Sequence, residues 1–431
     1  MKVLVVGTGG RDHAIAWKFI QSPRVSRVYV AHGNAGIAET ADCVNLRTIE
    51  EMADFAEKER IDLTFVGPEK PLSAGIADLF ESRGLSIIGP DSRASRLESS
   101  KCDAKVMMRE IGIRVPEFEN FSDPDKARDY VRSVGYPVVV KADGLAAGKG
   151  SLVCESVREA EEAVHSIMEE RIFGDAGERV DIERRLYGRE LSFFCFTDGY
   201  TVTPMVAAQD YKRARENDEG KNTGGMGAYS PHPWVDDALV KTIMSKVAEP
   251  LITGVREKYD ILYRGILYLG LMLVGSGTEV TPYVLEINIR LGDPEAQVIL
   301  PRLRTDLVDI SEAITTGTLN AIQPEWDSDY RLCLIATSGV TKSKKGWYKG
   351  YPDRYKIGVP IEGVDQIDRN CLVFHSGTEK DASGRLLTTG GRVLCIVCSG
   401  STLKEARETA LWEMEKVRFE GIYYRKDIGL E

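Results

Sequence analysis

Histidine is scarce in this chain, five among 431 residues, and His13, His32, His165, His232 and His375 fall at no metal-ligand spacing. There is no Gly-x-Ser-x-Gly nucleophile turn either, so the sequence argues against zinc hydrolysis and serine-triad chemistry. No apolar run is long enough to span a bilayer. The amino terminus opens as a strand, Lys2 to Val6, with no basic n-region or cleavage site, so neither export nor a membrane partner is expected. A block of Lys and Arg is also missing, and the formal net charge is −10. That argues against a nucleic-acid partner, which needs a basic footprint, but leaves small anionic substrates open. Cys395 and Cys398 form a lone Cys-x-x-Cys inside the apolar run Arg392–Cys398, with no second pair at zinc-ribbon spacing. They read as core or edge cysteines. Eight cysteines over this length fit a reducing, cytoplasmic setting with thiols mostly free.

What is present is a globular composition, 43% hydrophobic and 28% charged, with length for about two to four packed units. Residues 1–100 alternate strand and helix: strands at Lys2–Val6, Arg27–Ala31, Leu63–Val66 and Ser86–Ile88, helices at Arg11–Gln21, Ile49–Lys58 and Ala74–Ser82. Uninterrupted apolar strands between amphipathic helices predict a parallel sheet covered on both faces. Gly-rich turns follow the strand ends at Gly7–Gly10, Gly33–Gly36 and Gly67–Glu69, where such sheets bind ligands. A helix Ser99–Ile111 carries Lys101 and Lys105 on one face. Residues 124–190 read as a small α+β insert, with strands at Tyr136–Ala142, Leu152–Cys154 and Arg179–Arg185 and a helix at Val157–Arg171. Residues 330–431 read as a β-rich unit with a late helix, Arg407–Arg418.

The first glycine turn is an incomplete dinucleotide fingerprint. Its third glycine would fall at Asp12, and His32-Gly33-Asn34 replaces the ribose-binding acid after the second strand. A phosphate cradle at the helix start and a ligand-free tight turn both stay open. Asp143–Gly150 is not a Walker A loop. Gly144 and Gly148 are too close, and Gly150 stands where a Ser or Thr would hold magnesium. A Gly/Ala flap over phosphates, flanked by Lys141, is the better physical account. The polar, Gly-rich stretches Gln209–Arg213 and Asn222–Ser230 suggest a substrate loop, with a plain connector as the alternative.

The most informative stretch is Leu285–Gln297. Glu286 and Asn288, two apart on a strand, face the same way and offer hard oxygen ligands, and Arg290 continues that face. A metal, a polyphosphate and a fixed cation at one strand end point to ATP-dependent chemistry.

Taken together, Val5–Ala14, Gly33–Gly36, Gly67–Glu69, Lys141–Gly150, Asn222–Pro231 and Arg-x-Gly-Asp-Pro-Glu-x-Gln at 290–297 make the chain resemble the ATP-grasp superfamily, and within it the glycinamide ribonucleotide synthetase family, nearly end to end. The resemblance implies an α/β chain with the ATP-grasp fold in four parts. These are an N-terminal doubly wound domain (1–100), a central domain (101–123 and 191–328), an ATP lid (124–190) and a C-terminal domain (329–431). It implies ligation of glycine to 5-phosphoribosylamine using ATP and Mg2+ or Mn2+, by a cytoplasmic monomer or weak dimer. Carried over by position, Lys105 and Lys141 would contact ATP phosphates beneath the flap with Gly144, Gly148 and Gly150. Glu183, Arg185 and Leu186 would frame adenine, and Glu190 would hold the ribose. Glu286 and Asn288 would ligate the metal. Arg290, Lys141 and Asp210 are the expected catalytic residues. Gly9, Gly10, Arg11, His13, Asn34, Glu69, Lys212, Asn222, Thr223, Gly225, Asp293 and Glu295 are the expected substrate contacts.

Three departures from the family pattern stand out. Asp12 replaces the usual Glu, Arg184-Arg185 replaces an acidic–aromatic pair at the adenine hinge, and Gly270 supplies no ligand where many ATP-grasp enzymes have one. A relative using formate or bicarbonate is the second reading, against which the 290–297 and 222–231 motifs speak. A catalytically dead nucleotide-binding regulator is the third, against which intact Lys141, Glu286, Asn288 and Arg290 speak.

Overall fold

Five short runs of buried aliphatic residues near the amino terminus form one parallel sheet: β1 Lys2–Gly7, β2 Arg27–His32, β3 Asp42–Val44, β4 Leu63–Val66 and β5 Ile87–Ile88. Their order, β3-β2-β1-β4-β5, reverses at β1, so a crevice opens at the carboxyl ends of β1 and β4. The computed structural model describes residues 1–146, 149–275, 280–343 and 346–430. The helix after β1, α1 (Gly10–Ile20), starts where Gly9 N donates to Asp12 Oδ2 at 2.8 Å. Asp12 fills space that two glycines leave: a Cβ on Gly7 or Gly67 would lie 2.2 or 1.8 Å from its carboxylate. The helix expected over Ala74–Ser82 runs over Ile76–Ser82, and a short helix the sequence did not suggest, Glu69–Ser73, precedes it, with Gly75 turning left-handed at φ +86° between them.

The second sheet is antiparallel, in the order Phe118–Phe121, Val180–Arg184, Val138–Ala142, Ser151–Cys154. It has its own core of Val131, Val140, Ala160, Ile167 and Ile182 under helices Pro124–Ser133 and Val157–Val164. The helix expected to run to Arg171 loosens into a wider turn at His165–Glu169. A third, antiparallel sheet runs Val202–Pro204, Arg189–Thr197, Gly265–Val274, Thr281–Asn288. The lysine-bearing helix Lys101–Ile111 is capped by Ser100, whose Oγ accepts from Asp103 N at 3.1 Å and donates to Asp143 Oδ1 at 3.0 Å. Such a cap contributes about 1 kcal/mol, and here it also ties the helix to the flap.

Strands Tyr330–Ser338, Arg392–Gly400 and Leu372–His375 build a fourth sheet, which Gln209–Asp210 and Gly227–Ser230 extend at its edge. The segment expected to form a substrate loop is therefore carried on the C-terminal sheet. The late helix starts earlier than expected, at Leu403, because Thr402 accepts from Glu405 N, and it ends at Met414. Cys398 is joined to Cys371, which stands across the strand pair with a Cα separation of 4.6 Å. The other six cysteines are free thiols. Among the described residues, no helix is long and apolar enough to cross a membrane.

Candidate active site

The strand Thr281–Asn288 slips its register against Gly265–Val274, pairing Val284 with Leu271 but Glu286 with Gly270. Leu285 is the extra residue of a β-bulge. On an unbroken strand, Glu286 would share the core face of Val284. The bulge shifts the phase, so Val284 and Ile287 are buried while Glu286 and Asn288 stand together on the more open side. A Cβ on Gly270 would lie 2.8 Å from Glu286 Cγ, so a third ligand side chain has no room there. Among the described residues no group of three His, Cys, Asp or Glu could hold a metal ion. A carboxylate plus an amide oxygen still suits a hard divalent cation that keeps phosphate and water oxygens in its shell. Lys212 Nζ lies 3.1 Å from Glu286 Oε1. Chiefly through Lys212, and against burial, the Glu286 carboxyl is held down to about 2.

Two lysines cross from the helix and the lid sheet to the bulged strand. Lys105 Nζ donates to the carbonyl of Val284 at 3.0 Å and Lys141 Nζ to that of Leu285 at 2.9 Å. Both pair with Glu183 Oε1, at 2.9 and 2.7 Å. Burial opposes the charge on Glu183, but the two lysines outweigh it and hold the carboxyl down to about 2. Asp181, fully buried on the same strand, has its carboxyl pushed well up by burial and by Glu183. Lys101 Nζ donates to Gly144 O at 2.8 Å, so a third lysine sits under the flap. A Cβ on Gly150 would lie 2.6 Å from that of Ala146. Gly148 lies outside the described residues.

At the hinge Arg184 stacks over Tyr136 at 5.0 Å, and Arg185 pairs with Glu155 and lies 4.8 Å over Tyr187. Arg185 N donates to Pro137 O at 2.9 Å, leaving Leu186 half-buried and Glu190 exposed beyond it.

Arg290 is clamped. Its Nε lies 3.3 Å from Glu69 Oε2, and its Nη2 donates to Glu98 Oε1 at 2.9 Å and to Asn288 Oδ1 at 3.2 Å. The two carboxylates outweigh burial and raise its proton affinity further. Sequence reasoning missed Glu98, whose other oxygen accepts from Ile289 N at 2.8 Å.

Between the N-terminal crevice and the C-terminal sheet lies a polar cavity of about 350 Å³, lined by Thr8, Gly9, Asn34, Asp293, Thr378 and Arg392 among others. Of the expected substrate residues, Gly9, Asn34 and Asp293 reach it. Arg11 and His13 are buried in the wall behind: Arg11 donates to Leu291 O at 3.1 Å, and His13 Nδ1 accepts from His375 N at 2.9 Å. Gly10 packs against Gln297 and Ser376. Every polar atom of the Asn34 side chain is engaged, through Thr8 O, His375 O, Gly36 N and Ile37 N. Arg392, unread in the sequence, donates to Gly224 O at 2.6 Å, Asp293 O at 2.8 Å and Asp293 Oδ2 at 2.8 Å. Gly225, at φ +114°, lets the loop pass Pro294, which a Cβ would meet at 2.4 Å. Thr223 Oγ1 donates to Lys212 O at 2.8 Å, and Asn222 reaches Ser151 O of the lid at 3.4 Å.

Asp210 and Glu295 are linked through two further residues absent from the sequence reading. Tyr268 OH donates to Glu295 Oε1 at 2.7 Å, and Ser192 Oγ lies 3.0 Å from Tyr268 OH and 3.4 Å from Asp210 Oδ1. Burial, with Asp210 adding, pushes the Glu295 carboxyl up to about 7.

Comparison with known proteins matches the chain to three family models in succession. They are the phosphoribosylglycinamide synthetase N domain over residues 1–98, its ATP-grasp (A) domain over 99–296 and its C domain over 348–431. It is 46% identical over 432 residues to the phosphoribosylamine–glycine ligase of Caldanaerobacter subterraneus subsp. tengcongensis, covering 100% of this chain and 99% of that one. It is 41% identical to the Archaeoglobus fulgidus ligase of the same name, covering 100% and 99%. A solved phosphoribosylamine–glycine ligase from Thermotoga maritima superposes with a TM-score of 0.85 at 32% identity, over 99% of this chain and 100% of that one. The biotin carboxylase of Campylobacter jejuni, at 17% identity and a TM-score of 0.71 over 100% and 94% of the two chains, shares the fold alone.

Proposed function

The chain belongs to the phosphoribosylglycinamide synthetase family, and from that premise we infer how its site works. It is an ATP-dependent ligase of purine biosynthesis, joining glycine to 5-phosphoribosylamine to give glycinamide ribonucleotide, ADP and phosphate. The observation that carries the site assignment is the bulged strand end, where Glu286 and Asn288 share a face beside Lys105, Lys141 and Arg290.

The chemistry needs activation, because a carboxylate is a poor acyl donor. Passing the γ-phosphoryl of ATP to glycine gives glycyl phosphate, which the amine of phosphoribosylamine then attacks, releasing phosphate. Lys105 and Lys141 hold the transferring phosphates, and Arg290, fixed between Glu69 and Glu98, offsets charge as the acyl phosphate forms. Glu286 and Asn288 would hold the divalent ion, which would neutralise phosphate charge when bound. Their oxygen-only donor set supports Mg2+, with Mn2+ as the substitute. The flap from Asp143 to Gly150 excludes water from the labile acyl phosphate. The backbone of Arg184–Leu186 frames the base and Glu190 meets the ribose, while Glu183, expected beside the base, is bound instead to Lys105 and Lys141. Phosphoribosylamine enters the cavity lined by Gly9, Asn34, Asp293 and Arg392, where the guanidinium suits a phosphate. Asp210 and Glu295 face the amines.

Cleft and cavity are both built within one chain, which supports a monomer or weak dimer. Its phosphorylated substrates do not cross membranes unaided, which supports a cytoplasmic setting. The test is ADP release from ATP with a panel of carboxylic acids and freshly generated phosphoribosylamine. Release should require glycine and phosphoribosylamine together and should vanish in Glu286→Ala. Equal release with formate or bicarbonate would refute the assignment.

A further inference from the structure

Lys212 is the only cation within ion-pair distance of Glu286 among the described residues, and it stands on a loop rather than on a long strand. Something must hold that loop. Its two chain neighbours are both engaged by one side chain from the far end of the sequence. Arg425, 1% exposed, donates from Nη1 to Arg213 O at 3.0 Å, and its guanidinium lies 5.0 Å over the Tyr211 ring. Nη1 also donates to Asp218 Oδ1 at 2.9 Å, across the β-turn that closes the loop. Asp427 orients the guanidinium from the other side, accepting from Nε at 2.8 Å and Nη2 at 2.6 Å. The rest of the tail repeats the grip. Gly429 N donates to Tyr211 OH at 3.1 Å, Asp427 Oδ2 accepts from Asn217 N at 2.9 Å, and Glu216 Oε1 accepts from Lys426 N at 3.0 Å.

Alternation along the segment explains why this reaches the site. Tyr211 turns to the tail, so Asp210 and Lys212 turn to the opposite side, towards Ser192 and Glu286. Fixing the ring of residue 211 and the carbonyl of residue 213 leaves the backbone of residue 212 little freedom. Thr223 completes the hold by donating twice to Lys212 O, from N and Oγ1, at 2.8 Å each.

We propose that Arg425 is a positioning residue for the ligase reaction: the C-terminal tail clamps the substrate loop so that Lys212 is held against the metal-binding carboxylate of Glu286. This rests on the reading of Lys212 and Glu286 as site residues. The guanidinium acts at a distance from substrate, through the backbone on either side of Lys212.

The test is a double-mutant cycle on kcat with the divalent ion titrated. Arg425→Met keeps the length and apolar stem but removes the donors. It should lower kcat by about 10- to 100-fold, the scale of a misplaced site group, and lower the metal concentration for half-maximal rate, because the Glu286 oxygen is no longer occupied by the ammonium. Lys212→Met should move both readouts in the same directions. The double variant should be little worse than Lys212→Met alone, because both changes remove one interaction. A generally loosened fold would instead lower kcat by independent factors, and multiplying losses in the double variant would overturn the proposal. Lys212→Met impaired with Arg425→Met at wild-type rate would overturn the clamp and leave the site reading intact. Lys212→Met at wild-type rate would overturn the site reading and the clamp with it. If Arg425→Met does not fold, Arg425→Lys, which keeps a charge but loses the fork that reaches Arg213 O, Asp218 and Asp427 together, carries the same cycle with the same outcomes.

Discussion

Replacing Glu98 with Gln tests how Arg290 is held. The carboxylate bridges two donors, Arg290 Nη2 at 2.9 Å and Ile289 N at 2.8 Å, in a pocket that leaves it 7% exposed. Glutamine has one oxygen, so its NH2 must face either the guanidinium or the Ile289 N–H, donor against donor. Losing one buried charge-assisted hydrogen bond costs about 1.5–3 kcal/mol. Stripping a buried Arg of its whole ionic partner would cost more, but Glu69 at 3.3 Å and the Leu291 carbonyl at 3.2 Å remain. The expected loss of stability is therefore about 2 kcal/mol. The catalytic effect should be larger, because a shift of the guanidinium by about 1 Å costs about 100-fold in rate. Chemical unfolding reads the first quantity and a coupled ADP assay the second, with the KM for ATP expected to hold because the lysines are untouched. Near-normal stability and kcat in Glu98→Gln would refute the clamp.

Two other perturbations follow from the cavity and its wall. Arg392→Met removes the guanidinium from the cavity and should raise the KM for phosphoribosylamine by about 10- to 100-fold, the scale of a lost charged hydrogen bond, while the KM for ATP stays put. An equal rise in both would contradict the assignment of the cavity. His13 and His375 are buried, chiefly by desolvation held neutral down to about 3 and about 4 against an ordinary 6.5. Because their folded-state proton affinity is depressed, their contribution to stability is complete above pH 6.5 and is lost as pH falls from there towards about 4. Each histidine then adds a slope of about 1.4 kcal/mol per pH unit. His13→Gln should flatten that slope by one such share in unfolding measured across this window, and an unchanged slope would contradict their burial as neutral rings.

Much of this was legible in one dimension because the signals are local. Uninterrupted apolar runs between amphipathic helices marked the N-terminal parallel sheet, and glycine turns at its strand ends marked the crevice. The pairing of Glu286 with Asn288 followed from strand alternation, yet the bulge at Leu285 that gives the pair its face leaves no mark in residue type. Glu98 and Arg392 escaped notice because their roles depend on partners far along the chain, Arg290 and Asp293. Ser192 and Tyr268 lie inside apolar strands, where a single polar residue looks like an ordinary core position until Glu295 arrives beside it. The Cys-x-x-Cys reading placed Cys398 correctly in a buried strand, but its bond to Cys371 depends on which strand lies alongside. At short range the five-residue helix Glu69–Ser73 escaped notice as well, set off from Ile76–Ser82 by the left-handed backbone of Gly75.

The central claim is that Glu286 and Asn288, at the bulged strand end, would hold the divalent ion that neutralises the phosphates of ATP, with Lys105 and Lys141 beside them. Crystals grown with magnesium and adenylyl imidodiphosphate measure this directly. The ion should lie at coordination distance from both Glu286 and Asn288, with the triphosphate mimic against the two lysines. A triphosphate bound elsewhere, or an ion that ignores both side chains, would contradict the account.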